Sequence, residues 1–449
     1  FDTGAYASWG PTVADRVPVH ATGPFHVPHV LNTSRALHTN APPSGAFRGF
    51  GVPQAAIAHE ALYDDLAEQC GIDPLEFRLI NALRAGQPTA TGQVLEASAG
   101  LAACLEVLKP RWQALRADAE AFNRTAHGPV RRGVGVGCMW YGCGNTSMSN
   151  PSTMRIGVDR AGRLTLYNGA VDMGQGPNTI MVQIAADALG VPAEGFRVIM
   201  GDTDLTPDAG KSSASRQTFV SGKAVQLAGE DLRGQILRRA NVGPDAVIAF
   251  GDGAVRLTDG GSEHILDLRD LEANERGDVL SGEGTFDPPT APLDENGQGI
   301  PYATYGFAAQ LAEISVDTEL GVVKATRIVA AHDVGKAVNP TLVEGQIHGG
   351  IAQGLGLALM EEYVPGRTEN LHDYLIPTFG DIPPIETIIV EDAEPLGPYG
   401  AKGIGEPALI PTAPAIFGAI RHATGVVMRD APAIPSRVRA ALKAAGWGG

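Results

Sequence analysis

A single carboxylate, Glu406, stands in the stretch AKGIGEPAL (401–409), after Gly403 and Gly405 and directly before a proline. Its neighbours are small or apolar. An unpartnered carboxylate is costly to bury, so an acid in this company is either paired by the fold or kept for chemistry. Desolvation raises a carboxyl pKa toward neutrality, where a general base works best. The plainer alternative is a buried acid that caps the helix expected after it.

Three loops of small residues could serve such a base. GAFRGFG (45–51) carries three glycines around Arg48, DMGQG (172–176) sets Gly174 and Gly176 about Gln175, and GKSSASRQT (210–218) offers Ser212, Ser213 and Ser215. Glycine lets backbone approach a ligand closely. Successive backbone N–H groups with a helix dipole behind them make an anion seat. Two of these loops run straight into expected helices. Together they suggest a cradle for a phosphate-bearing or polar cofactor. Singly, each reads as a tight turn, and Gln175 as a solvent-facing turn residue or as a carboxamide donor to a cofactor oxygen. There is no GxxxxGK[ST] and no GxGxxG after a strand, which excludes P-loop and Rossmann readings.

The elements that must position these groups are mixed. Residues 1–50 read as strands and loops. VPQAAIAHEALYDDLAEQCG (52–71) has helical periodicity with Gly71 as its stop. DPLEFRLINAL (73–83) starts a second helix, with Asp73 as N-cap, Pro74 in the first turn and Glu76 completing a capping box. A third helix is expected over about 100–123, followed by a polar connection, NRTAHGPVRRG (123–133). STMRIGVDRAGRLTLYNGAV (152–171) is a β-hairpin, PNTIMVQIAADALG (177–190) an amphipathic helix and FRVIMGDT (196–203) a strand. FVSGKAVQLAGEDLRGQIL (219–237) is mostly helical. QLAEISVD (310–317) and VVKATRIVAAHDVG (322–335) are strands, and 339–362 is a glycine-rich helix. Segment 238–300 carries the weakest pattern and reads as short strands.

The 449 residues allow roughly two to four domains at about 150 residues each. Hydrophobic content of 44% and charged content of 19% fit a chain with a large core. A formal net charge of −16 argues against a nucleic-acid partner, which requires clustered Lys and Arg. The four cysteines, Cys70, Cys104, Cys138 and Cys143, form no CxxC pair; Cys138 and Cys143 could be read as metal ligands, but a second cluster of Cys or His at ligand spacing is missing. They read as reduced thiols of a reducing, cytoplasmic compartment. No apolar stretch reaches the 18 residues of a membrane span. FDTGAYASWG, at the start, is no signal peptide and looks like a strand in progress, so the chain is expected to begin within a larger architecture.

In combination, GAFRGFGVPQ, DMGQGPNTIMVQIAADALGVP, HDVGKAVNPTLVEGQIHGGIAQGLGLALMEE and GAKGIGEPALIPTAPAIFGAI resemble, in order and near these spacings, the molybdenum-binding large subunit of the xanthine oxidase/aldehyde oxidase family. The resemblance covers nearly the whole chain. It implies an α+β fold of two elongated mixed α/β subdomains with a molybdopterin cofactor at their interface. Residues 1–125 would form the C-terminal portion of the first subdomain and 126–449 the second, itself divisible at about 126–300 and 301–449. The cofactor is implied to be of the cytosine dinucleotide form. Glu406 falls at the family's catalytic base, which takes a proton from the hydroxide or water ligand of the metal while an electron-poor carbon is hydroxylated.

Other positions carry over by the same resemblance. Phe47 and Arg48 fall beside the metal and pterin. Phe50 matches an aromatic that stacks on ring substrates, although by itself it would read as core. Met173, Gln175 and Gln346 match cofactor contacts, and Ser215, Arg216 and Gln217 a loop that holds the pterin phosphate. Arg16 lies near the spacing of a substrate-orienting arginine of purine-oxidising members; its plainer reading is a solvated surface residue. Trp140 and Tyr141, in CMWYGCGN (138–145), align with nothing and stay unassigned. No residue of the chain is expected to ligate metal.

The departures matter as much. The family's earlier motif with a Phe-Gly-Gly core is absent, so a companion chain carrying the first part of the molybdenum subunit is expected. The 2Fe-2S and FAD groups are expected on further subunits. GAFRGFG lacks the cysteine that the carbon monoxide dehydrogenase branch uses for copper, which disfavours that branch. The leading expectation is therefore a subunit of a molybdenum hydroxylase acting on an N-heteroaromatic, nicotinate- or purine-like. An aldehyde oxidoreductase and a non-catalytic structural half-subunit are the alternatives.

Overall fold

Two four-stranded sheets backed by helices form the body of the chain. The structure, a computed structural model, describes residues 1–6 and 8–447. The first sheet has the order Ile385–Val390, Val322–Asp333, Tyr305–Asp317, Val130–Gly142. Its three long strands are antiparallel, and Ile385–Val390 adds in parallel at the edge. Alternate residues of a strand face opposite sides, and both sides here are buried. On one side Phe307, Leu311 and Val329 meet Leu105, Leu108 and Trp112 of the helix Leu101–Thr125. On the other, Ile314 and Ile328 pack with Ile347 and Ile351 of the helix Pro340–Leu359 and with Ile416 and Ile420 of the helix Thr412–Thr424. Each such buried aliphatic side chain contributes about 2 kcal/mol.

Strand Val130–Gly142 reads GVGVG along 133–137, and those glycines lie on the Thr412–Thr424 side. A Cβ at Gly133, Gly135 or Gly137 would lie 2.0, 2.1 or 2.4 Å from the carbonyl oxygen of Ala419, Ala415 or Pro411. The strand and helix backbones therefore touch. The second sheet, ordered Asp278–Phe286, Ser152–Asp159, Leu164–Asn168, Phe196–Met200, repeats the device. Gly282 and Gly284 there lie against the helix Gly222–Ala240, where added Cβ atoms would come within 2.2 and 2.3 Å of Ala228 and Ala224 oxygens. Ile156, Leu166, Ile184, Val225 and Leu232 fill that sheet's core.

Several expectations need adjusting. A helix, Gly10–His20, stands within the region read as strands and loops. Proline occupies its first turn and recurs at Pro18 in its last, so the usual breaker signals sit where they do least harm. The capping box at 73–76 is half formed: Asp73 accepts from the Leu75 and Glu76 N–H groups, but the Glu76 carboxylate turns to Lys109 Nζ at 2.7 Å. A π-helical turn, Gln217–Ser221, precedes the helix expected from 219. Segment 238–300 holds a three-stranded sheet, Val247–Gly251, Ala254–Asp259 and Ser262–Asp267, and the edge strand Asp278–Phe286. The core under the helix Leu101–Thr125 takes in residues on both sides of position 125. Among the described residues no helix is long and apolar enough to cross a membrane. All four cysteines are free, three of them buried.

Candidate active site

One cavity of about 1400 Å³ receives every residue singled out from the sequence. Arg16 comes from the helix Gly10–His20, Phe47, Arg48 and Phe50 from the first glycine loop, and Met173 and Gln175 from the second. Ser215, Arg216 and Gln217 come from the serine loop, Gln346 from the helix Pro340–Leu359, and Glu406 from the loop 403–406.

Glu406 is paired by the fold. Its Oε2 accepts from the Tyr141 hydroxyl at 2.5 Å and from the Gly49 N–H at 3.0 Å. Its own N–H donates to Ser215 Oγ at 2.8 Å. It makes no capping bond to the turn Pro407–Leu409 that follows, so the capping alternative fails. Nor is its setting simply apolar, as the sequence suggested. Oε1 accepts no hydrogen bond among the described residues, and the side chain lines the cavity.

The loop carrying Glu406 is held from two sides. Lys402 Nζ lies 2.5 Å from Asp333 Oδ2, both fully buried, and a broken pair of that kind leaves a costly lone charge. Arg48 reaches across the cavity rim. It donates from Nε to the Gly405 oxygen (2.5 Å), from Nη1 to Gln353 Oε1 (3.0 Å), and from Nη2 to Gln346 O and Oε1 (3.2 and 3.1 Å). It ties the first loop to the loop carrying Glu406 and to the glycine-rich helix. Gly403 is pressed so closely on the serine loop that a Cβ would lie 1.8 Å from Ser215 O. Ala214 and Ser215, in turn, hold φ of +57° and +52°. Left-handed backbone outside glycine costs roughly 1–3 kcal/mol per residue and concentrates at functional sites.

Arg16 is 2% exposed. Its guanidinium carbon stands 4.2 Å from the Tyr141 ring centroid and 4.8 Å from that of Tyr302, and Nη2 donates to Gly142 O. Nε is buried without a partner. Burial works against its charge, yet Tyr141, Tyr302 and Glu406 outweigh burial and keep the group cationic. His20 fixes the same strand end. Its Nδ1–H donates to Arg16 O (2.9 Å) and its Nε2 accepts from the Gly142 N–H (3.1 Å). Burial, with Arg16 adding to it, pushes His20 down to about 3. Phe50 has φ +51°, sits edge-on to Trp9 at 6.2 Å, and lies 5.9 Å from the Arg16 guanidinium.

The serine-loop end is built differently. All five N–H groups of Arg216 are occupied within the chain, by Asn150 Oδ1 and O and by the oxygens of Ala209, Lys211 and Pro151. The residue is 1% exposed, and burial lowers its pKa to about 10. Gln175 and Gln217 are joined, Nε2 to Oε1, at 2.8 Å, and both donate to Val171 O. Gln217 also donates to Ser212 Oγ at 2.7 Å. Met173 is 69% exposed.

Sequence reading missed Tyr141, Tyr302 and His20. The signal for Tyr141 was present. Counting by twos from Gly133 puts Met139 and Tyr141 on one face, and the structure packs those two together with Val52 and Ile410. Trp140 faces the other way and stacks on Tyr305 at 4.5 Å, inside the core.

The cavity suits a large polar cofactor. It is walled by amide side chains, serine hydroxyls and glycine backbone, and it contains an arginine with an orphaned nitrogen. Among the described residues no group of three His, Cys, Asp or Glu side chains could hold a metal ion.

Known proteins point the same way. Two models, each described as a molybdopterin cofactor-binding domain, match residues 1–82 and 107–383. A xanthine dehydrogenase molybdenum-binding subunit of Escherichia coli O157:H7 is 36% identical over 97% of this chain and 58% of its own length. An aldehyde oxidoreductase of Megalodesulfovibrio gigas is 32% identical over 99% of this chain and 46% of its own. Among solved structures, the aldehyde oxidoreductase of Desulfovibrio desulfuricans superposes with a TM-score of 0.86 at 29% identity, covering 98% of this chain and 46% of that one. The chain thus spans about half the length of the relatives it matches.

Proposed function

The chain belongs to the molybdopterin cofactor-binding domain family, and from that premise we propose that it is the cofactor-holding part of a molybdenum hydroxylase in which Glu406 is the general base. When bound, the cofactor supplies a molybdenum centre able to take two electrons from a substrate that gains an oxygen from water. The chain's own residues do the rest. Gln175, Gln217, Gln346, Met173, the serine loop through Ser215 and the backbone at 47–49 hold the cofactor. Arg216 braces the serine loop that presents it. Glu406, fixed through Oε2, takes up and later releases a proton at Oε1. A positioned carboxylate of this kind contributes about 10²–10⁴ in rate.

The observation that carries this reading is the Glu406 carboxylate. Tyr141 and Gly49 hold it at the wall of a cavity that Arg16 also lines. Phe50 lends an aromatic ring to the cavity wall, and Arg16 a cation able to meet an anionic or carbonyl oxygen. We infer a planar N-heteroaromatic substrate, nicotinate- or purine-like, from that pair. Aldehyde oxidation is the second reading, favoured by the similarity to aldehyde oxidoreductases. The cytosine dinucleotide form, a companion chain supplying the first part of the molybdenum subunit, and 2Fe-2S and FAD partners belong to the same proposal. So does a cytoplasmic location.

The test begins with the native complex. Its chains are identified, its molybdenum and nucleotide assayed, and nicotinate, hypoxanthine and aromatic aldehydes screened. Glu406→Gln should then retain molybdenum and lose turnover. An unchanged rate would leave only a scaffolding role.

A further inference from the structure

We propose that Tyr141 is the positioning residue of the base: its phenol clamps Glu406 Oε2 and so sets where the carboxylate points. This inference rests on the reading of Glu406 as the general base.

The geometry carries it. The phenol oxygen lies 2.5 Å from Oε2, and the ring lies under the Arg16 guanidinium at 4.2 Å. One side chain therefore touches the base through its hydroxyl and the substrate-side cation through its face. Tyr141 is fully buried near the end of the strand Val130–Gly142. Burial, with the Glu406 charge adding to it, pushes its own ionisation well above the ordinary tyrosine value, so it stays a donor. A charged acceptor makes this hydrogen bond a strong one. The second hold on Oε2, the Gly49 N–H, comes from a loop whose neighbour Arg48 is tied to Gly405, so base and clamp share one frame.

The charged and titratable groups around Glu406 are Arg16 on the helix Gly10–His20, Arg48 on the first glycine loop, Tyr141 on its strand and Tyr302 ahead of the strand Tyr305–Asp317. The two arginines favour the carboxylate. The Tyr141 hydrogen bond also favours it, because the donor serves the ionised oxygen. Removing the hydroxyl must therefore loosen the hold on the ionised carboxylate.

Tyr141→Phe isolates that hydroxyl. Phenylalanine keeps the ring beneath Arg16 and fills the same volume. The measurement is the infrared carboxylate stretch of Glu406 in the purified complex, with and without cofactor, assigned by difference against Glu406→Gln. Its companion is the split of turnover into kcat and KM. The proposal expects Tyr141→Phe to shift the carboxylate band and to lower kcat about tenfold, the effect of one charge-assisted hydrogen bond, with KM and molybdenum content kept. Substituting 3,5-difluorotyrosine, a more acidic donor, should shift the band the opposite way. A carboxylate band that stays in place in both variants overturns the clamp. Loss of turnover in Glu406→Gln alongside that null shift would leave the base reading standing and only the clamp refuted. Full turnover in Glu406→Gln would instead remove the base, while the infrared band would still report on the hydrogen bond.

Discussion

Arg16 and Arg216 both line the cavity, and both are buried to within 2% of full enclosure, yet they are opposite kinds of arginine. Arg216 has each of its five donors matched by an acceptor of the chain. Arg16 rests on aromatic faces, donates to one carbonyl and leaves a buried nitrogen unmatched. Burial alone does not distinguish a functional cation from a structural one. Completeness of hydrogen bonding does, because an unmatched buried donor is tolerated chiefly where something else is to meet it. Arg216 then reads as the brace of the strained serine loop, and Arg16 as the arginine whose donors the fold leaves partly unused.

The sharpest test concerns the wall that holds Arg16. Glu406→Gln should lower kcat by about 10²–10⁴, with molybdenum content and melting temperature close to wild type. A matching fall in metal content would move Glu406 into cofactor retention and blur the contrast between the two walls. On the other wall, Arg216→Met should destabilise the fold by about 3 kcal/mol, through stranded carbonyls rather than lost catalysis, and lower Tm by about 3 °C in calorimetry. If Tm held and cofactor affinity collapsed, Arg216 would be a ligand and the comparison would fail.

Arg16→Met should do the reverse. The expected outcome is a KM raised about 10- to 100-fold for a ring bearing an anionic or carbonyl oxygen, with Tm little changed. Steady-state kinetics on such a ring and on a neutral aldehyde separate the two substrate readings. The smallest effect follows from His20, held down from 6.5 to about 3 by burial. Unfolding lets it take a proton that the folded chain refuses, so its contribution is whole above pH 6.5 and is lost as pH falls toward 3. At pH 5 that amounts to about 2 kcal/mol. Melting curves between pH 7 and 5 should show a smaller decline in His20→Gln than in wild type.

What the sequence disclosed and what it hid follow from range. Glu406 was legible because its glycines and proline are its immediate neighbours, and the three loops were legible for the same reason. Periodicity located the helices Val52–Cys70 and Pro177–Leu189 because each buries one face. The helix Gly10–His20 was obscured by two prolines that its end positions tolerate. Tyr141 was obscured more deeply. Its role depends on a partner 265 positions away, and only strand parity hinted at the side it faces. The plainer reading of Arg16, a solvated surface residue, gives way to its 2% exposure. That Arg216 is satisfied internally could not be read at all, since four of its five acceptors are backbone oxygens, which every residue possesses.

The row Gly133, Gly135, Gly137 has a mechanical consequence. Where two backbones touch, no side chain is left to act as a cushion, and the spacing becomes that of the chains themselves. The strand is seated like a rail on the helix Thr412–Thr424, and the phenol of Tyr141 is mounted farther along that rail. A methyl group added at Gly135 would lift the rail and pull the phenol out of line with the Glu406 carboxylate on a different loop. Sites far from any ligand can thus be as intolerant of change as the ligand contacts themselves.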